Sequence, residues 1–381
     1  MTYAGYPERR SVAERVRTHF VRHLEQALPD TAAAVACIAA PPDLESLEAL
    51  IDVAFWTSLR REEGYVPIIS LALVGPDDTP SALRFAEALP FEPSVLAKVA
   101  PAVERPGIHL GVSPIGGRLA VWGATRILPA YCLVLEVAAP GLLVIKQHRG
   151  GEHTKFANIA VLEADQVKIV DEEASSLPDC PSLLSSLLGF DTPASWTDSA
   201  NVLVQLSVSM RAHKRGGLLL VVPAGSDKWR ESIISPIKYE LSPPFSVLAD
   251  LMFRKAIDRD RLWQDALGRA IESVAGLTAV DGATIVTDKH ELLAFGAKIT
   301  RRRGSPPVEL AAVTEPVEGG APTIGHPSSL GGTRHLSAAQ FVHDQRDAVA
   351  LVASQDGRFT VFAWSPCEEM VHAHRVETLL L

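Results

Sequence analysis

Cysteine is scarce and unpaired in this chain: Cys37, Cys132, Cys180 and Cys367 are the only four in 381 residues, and no two form a C-x-x-C pair. That spacing argues against a cysteine zinc cage and against a disulfide-stapled secreted scaffold, and it fits a reducing cytoplasm. Positive charge is also in short supply, with 36 Lys and Arg against 45 Asp and Glu for a formal charge of −9. An acidic chain lacks the footprint of a general nucleic-acid binder, whereas a small anionic ligand needs only a local basic site. Long apolar runs are missing too. The longest, Tyr131 to Ile145, is interrupted by Glu136, Pro140 and Gly141, so no membrane span is expected. The opening residues MTYAGYPERRSVAERV carry no apolar core of signal-peptide type, and the expectation is a soluble protein. No P-loop, G-x-S-x-G elbow, G-x-G-x-x-G unit or internal repeat occurs, which removes the commonest nucleotide and hydrolase signatures.

Apolar residues make up 47% of the chain, enough for substantial cores, and the length predicts two domains. Apolar spacing predicts helices over Arg10 to Leu28 and Leu44 to about Arg61, a strand within Tyr65 to Gly75, and helices over Ser81 to Leu89 and Pro93 to Ala102. From about Gly107 to Asp171 short apolar runs alternate with turn residues, the pattern of a small antiparallel barrel or sandwich. Its most polar tip, His148 to His153, reads as a solvated hairpin loop, with metal ligation by the two histidines as the alternative. Farther on, Ala200 to Lys214 reads as a helix. His213, Lys214 and Arg215 then suit a helix C-terminus better than a phosphate grip. The segment from Val247 to Val274 predicts one or two further helices.

Two stretches near the C-terminus carry the chemistry. In VDGATIVTDKHELLAFGAKI, from Val280, apolar runs flank a polar tip at Asp288 to Glu291, predicting a strand, a turn and a second strand. Asp281 and Gly282 sit at the mouth of the first strand. On their own they read as an Asp-Gly turn; functionally they place a carboxylate on a rigid element beside a glycine that admits a ligand. In GGTRHLSAAQFVHDQRDAVALVASQDG, from Gly331, Thr333 is the expected N-cap of a short helix. Its first turns hold Arg334, His335, Ser337 and Gln340, the makings of a phosphate site. Ala348 to Ala353 predicts a buried strand, followed by the turn Ser354-Gln355-Asp356-Gly357 and a strand from Phe359 to Ala363.

Asp281-Gly282-Ala283, then Gly332-Thr333-Arg334-His335-Leu336, then Ser354-Gln355-Asp356-Gly357, resemble in order and spacing the three motifs of the diadenylate cyclase (DAC) domain. The resemblance covers about the last third of the chain. It departs at Leu336, where the family has a second arginine, and at Gln355, where it has a glutamate. Leucine binds no phosphate, and glutamine brings no negative charge to a metal.

The resemblance implies an α/β (α+β) fold with a C-terminal mixed sheet flanked by helices. A sensor or regulatory region over residues 1–240, with its β-barrel-like part at about 107–171, would precede a nucleotide-binding domain over 241–381. It implies condensation of two ATP into cyclic di-AMP and two pyrophosphates, with Mg²⁺ or Mn²⁺. By the same resemblance, Asp281 and His335 are catalytic residues and metal ligands. Gly282, Ala283, Thr333, Arg334, Ser354 and Gln355 would contact the nucleotide, with Ile299 as an apolar contact for adenine. A homo-oligomer with facing domains is implied as well. The alternatives are a degenerate domain that senses ATP or a cyclic dinucleotide, and a nucleotidyltransferase with another product. Arg301 to Arg303 read as a solvated loop with triphosphate contact as the alternative. His372 and His374 read as surface residues sharing one strand face, with metal ligation as the alternative.

Overall fold

The computed structural model describes residues 6, 9–27, 38–148, 156–163, 166–170, 201–254 and 261–381. The expected loop from Arg149 to His153 lies outside them. The chain divides into two compact units, with the boundary between Val170 and Asp171. Both are mixed α and β. No described helix is long and apolar enough to cross a membrane.

The first unit contains α1 (Arg9–Ala27), α2 (Leu44–Ser58) and α3 (Pro93–Val103). Its strands are β1 (Ile69–Leu73), β2 (Leu83–Pro90), β3 (His109–Ile115), β4 (Arg118–Thr125), β5 (Leu133–Ala139), β6 (Leu142–His148), β7 (Phe156–Glu163) and β8 (Gln166–Ile169). They form one sheet in the order β2-β4-β3-β1-β5-β6-β7-β8. The sheet is open, so the expected barrel is corrected: among the described residues β2 and β8 remain edges. The reason is β1, which comes from outside the β-rich stretch and inserts between β3 and β5, parallel to the first and antiparallel to the second. Periodicity shows strands and not the partner that separates them.

Residues Ser81 to Leu89 are also corrected, from helix to the edge strand β2. This segment buries almost nothing along its length, so no apolar helix face anchors it. Its backbone pairs with β4 instead, and an edge position tolerates Pro90. The main core joins Phe20 of α1 and Leu47, Leu50 and Ile51 of α2 to Leu71, Leu110 and Leu135 on one sheet face.

The second unit holds α4 (Val202–Ala212), α5 (Val247–Met252), α6 (Arg261–Leu277) and α7 (Thr333–Asp344). Its strands are β9 (Gly217–Val222), β10 (Tyr239–Phe245), β11 (Ala283–Thr287), β12 (Leu292–Ala297), β13 (Ala311–Thr314), β14 (Thr323–Gly325), β15 (Val349–Ala353), β16 (Phe359–Ser365) and β17 (Met370–Arg375). Their order is β10-β12-β11-β9-β15-β16-β17-β13-β14. β9, with sequence GLLLVV, is buried along its whole length, as a central strand covered on both faces must be. Leu219 and Val221 pack under α4 and α6, while Leu218, Leu220 and Val222 pack under α7. A boundary at residue 240 would cut this central strand away from its partners β11 and β15. The unit therefore includes the α4 and β9 segment that the sequence reading had placed in the preceding region.

His372 and His374 do share a face of β17, and both are buried, because β17 lies between β16 and β13 rather than at an edge. His372 Nε2 meets Glu368 Oε2 at 2.8 Å and His374 Nδ1 meets Thr314 Oγ1 at 2.7 Å. Burial pushes His374 down from 6.5 to about 3, so it is neutral in the folded unit. The unfolded chain takes up that proton near its ordinary value. Stability is therefore complete above pH 6.5 and falls as pH drops toward 3, by up to about 1.4 kcal/mol per pH unit. Urea midpoints of the second unit at pH 7 and pH 4.5 check this, and equal midpoints would contradict it.

Candidate functional site

One end of the second sheet gathers the motif residues. β9 and β11 are parallel and begin there, while the antiparallel neighbours β12 and β15 end there, with Ala283 opposite Ala297 and Gly217 opposite Ala353. The amino end of α7 arrives at the same place. Between them lies a cleft of about 180 Å³ lined by Asp281, Gly282, Ala283, Ile299, Thr333 and Arg334, together with Leu218, Ala297, Lys298 and Ser337. Six of the expected site residues thus converge.

Asp281 and Gly282 form a bend just ahead of β11. The Asp281 side chain is 92% exposed, and its Oδ2 receives a hydrogen bond from Lys298 Nζ at 2.6 Å. That bond and the lysine charge, with a smaller contribution from Arg334, hold the carboxyl below its usual pKa. The carboxylate is accordingly ionised and faces solvent in the cleft. Lys298 was missed by motif reasoning. It follows β12 directly, and the antiparallel pairing of β11 with β12 is the signal that would have placed it beside Asp281.

The helix cap differs from expectation. Gly332 is the N-cap of α7, Thr333 is the first helical residue, and no side chain caps the end. Thr333 at that position cannot also fill the cap with its own hydroxyl. The first N–H groups of a 12-residue helix are thus left for a ligand, and they present its positive end. Arg334 lies against Gly216, where an added Cβ would come within 2.7 Å of Nη1 and 3.3 Å of the Ala353 carbonyl. Gly216 also has φ +69°, so a side chain there would be disfavoured twice. The basic segment ahead of it behaves as expected, with His213 as the C-cap of α4 and its Nε2 3.2 Å from Thr278 Oγ1.

Three expected residues are not brought into the cleft. His335 is 3% exposed, with its ring edge-on to Phe362 at 6.0 Å and packed against Gly331. Burial lowers its pKa against the opposing pull of Asp356, and its Nε2 has no hydrogen-bond partner among the described residues. Ser354 and Gln355 occupy the turn after β15, where the Gln355 amide donates to the Arg215 carbonyl at 3.4 Å. Leu336 is half-exposed and does not line the cleft. Arg302 donates its backbone N–H to Asp344 at the opposite end of α7 from Thr333, consistent with a solvated loop rather than a phosphate contact.

Comparison with known families bears on the other unit. Residues 36–126 match the family described as probable sensor domain DACNV. This is a sensor domain associated with diadenylate cyclases, and the matched span lies wholly within the first unit. It runs from ahead of α2 through β4 and supports the expectation of an N-terminal sensor region. No curated protein matches the chain.

The cleft's chemistry follows from its charges. Arg334 and Lys298 outnumber Asp281 among its ionised lining residues, and the uncapped helix end adds partial positive charge, so the cleft favours an anion. Among the described residues no group of three or more His, Cys, Asp and Glu could hold a metal ion. A single exposed carboxylate still fits Mg²⁺ or Mn²⁺, because such ions are commonly held by one or two carboxylates plus substrate phosphates.

Proposed function

We propose that the second unit is a diadenylate cyclase that condenses two ATP into cyclic di-AMP and two pyrophosphates. The reading is carried by the convergence, at one sheet end, of the ionised Asp281 carboxylate with Arg334, Lys298 and the open amino end of α7. Attack of a 3′-hydroxyl on an α-phosphate depends on alignment and on neutralising charge at phosphorus. In this assignment Asp281 accepts the hydroxyl proton, Thr333 and Arg334 hold phosphate, and Gly282 and Ala283 let the nucleotide approach the backbone. Ile299 offers adenine an apolar surface. Asp281 would hold the divalent cation, which supplies charge neutralisation at the phosphates. His335 acts from beneath the first turn of α7, as a positioning residue. Ser354 and Gln355 contribute from the adjoining turn.

The diadenylate cyclase resemblance implies one nucleotide per domain, and ring closure needs two nucleotides face to face, so a homo-oligomer with opposed clefts belongs to the proposal. The DACNV match supports coupling of this activity to a signal read by the first unit. ATP as substrate agrees with a cytoplasmic location.

Lys298 takes the place of the charge that Leu336 does not supply. Lys298→Met is expected to weaken ATP binding by about tenfold, the worth of one charge-assisted contact, as read by calorimetry. Unchanged affinity would separate this lysine from the phosphates.

A second reading, nucleotide binding without turnover, is favoured by His335 lying outside the cleft and by Leu336 in place of an arginine. Purified protein incubated with ATP and Mg²⁺ or Mn²⁺, with products identified by mass spectrometry, separates the two. Cyclic di-AMP supports the cyclase. ATP or cyclic di-AMP bound without product supports the sensor, and a different nucleotide product points to a related transferase.

A further inference from the structure

The first unit contains its own cavity, of about 190 Å³, beyond the carboxyl ends of β1 and β3. These strands are adjacent and parallel, while the other neighbour of β1, β5, is antiparallel. The cavity thus lies at the carboxyl ends of an adjacent parallel pair of strands, the end of the strands outside which open α/β sheets take ligands. The 15-residue helix α2 brings its amino end to the same place through Asp43 and Ser46.

Four features define what fits. The walls are apolar, with Pro42, Leu73, Val74 and Pro129 among them. Ser113 also lines the cavity and is 7% exposed, so its hydroxyl is a polar group in an otherwise largely apolar wall. The hydroxyl stands at the cavity wall, where it can accept or donate one hydrogen bond to a bound molecule. Two carboxylates, Asp43 and Asp78, stand in the lining, which contains no lysine, arginine or histidine. Finally, the anion-attracting end of α2 is already filled by Asp43, whose Oδ1 accepts the Ser46 N–H at 2.8 Å. An anion meets carboxylates there instead of free N–H groups.

We propose that this cavity is a ligand site of the sensor unit and takes a small organic amine. The ammonium group is drawn to the carboxylates, the Ser113 hydroxyl accepts an N–H, and the alkyl part lies against the proline and aliphatic walls. Every lining residue except Pro129 falls within the span matched by the sensor family. The inference does not depend on what the cleft of the second unit catalyses.

Calorimetric titration of the full-length protein with putrescine, with butylamine and with inorganic phosphate at matched salt tests it. Saturable binding of an amine is expected, weakened about tenfold by Asp78→Asn and also reduced by Ser113→Ala. The exposed Asp78 and the Ser113 hydroxyl can both be altered without removing a core contact, and thermal unfolding confirms that each variant is folded. Asp281→Asn should leave amine affinity unchanged. Saturable phosphate binding lost in Asp78→Asn or Ser113→Ala, without an amine response, overturns the proposal, as does the absence of saturable binding by either amine at millimolar concentration. Amine affinity retained in both cavity variants, or lost in Asp281→Asn, places the amine elsewhere and overturns it equally.

Discussion

Asp281→Asn is expected to lower cyclic di-AMP formation by roughly 10²–10⁴-fold, the usual contribution of a positioned general base, while ATP still binds and the fold is unchanged. The substitution keeps size and shape and removes only the charge. Little stability is at risk, because the side chain is 92% exposed and its ion pair with Lys298 is solvated. Removing the carboxylate also frees Lys298 for phosphate, so ATP affinity measured without divalent cation is expected to hold or rise even as turnover with the cation falls. That opposite movement of binding and rate distinguishes a catalytic carboxylate from one that merely orders the cleft. Initial rates by product mass spectrometry, paired with calorimetric ATP affinity in chelator on the same variant, provide the readout. Persistent product formation would remove Asp281 from the chemistry. Loss of binding together with rate would make it an ordering residue.

The residues of this cleft were largely legible in the sequence because they sit on a hairpin and at a helix start, two features set by local patterning. Val280 to Ile299 alternates and turns as a hairpin should, and the structure folds it as β11 and β12 with the tip where Asp288 to Glu291 predicted it. Lys298 was not legible as a partner of Asp281, since the ion pair is created by cross-strand register rather than by spacing along the chain. His335 lies outside the cleft lining for a related reason. A helix turn carries residues to different sides, and when Arg334 faces the cleft its neighbour His335 faces the Phe362 side of the sheet. The cap was misassigned by one residue because threonine carries a hydroxyl that can cap a helix, whereas the glycine that occupies the position caps with backbone alone. At the level of the sheets, β1 and β9 show what periodicity leaves out. Both are buried central strands whose neighbours come from far along the chain. The expected barrel and the expected boundary at residue 240 failed at those two strands.

Gly282→Ala is expected to be the most damaging single methyl addition at this site. Gly282 has φ +123°, outside the range that side chains readily adopt. Its added Cβ would stand 2.5 Å from the Gly296 carbonyl carbon, 2.7 Å from the Gly296 oxygen and 2.8 Å from the Ala297 oxygen. All three are backbone atoms, so no rotamer change relieves the contact. Nor can β12 simply move aside. Gly296 is itself backed by the Tyr239 ring, where a Cβ would meet Cδ2 at 2.8 Å, and that ring is stacked on Phe295 with centroids 4.8 Å apart. Backbone strain and overpacking each cost roughly 1–3 kcal/mol, for an expected loss near 4 kcal/mol. A unit of this size loses roughly 2–4 °C of Tm per kcal/mol, so its calorimetric transition should fall by about 10 °C. ATP binding should weaken with it, because the same shift displaces Asp281 and Lys298. Gly268→Ala in α6 is the control, since nothing lies within 4 Å of its added Cβ and alanine is favoured over glycine inside a helix by up to about 1 kcal/mol. If both variants unfold alike, the close approach of β12 to Gly282 is not what this position requires.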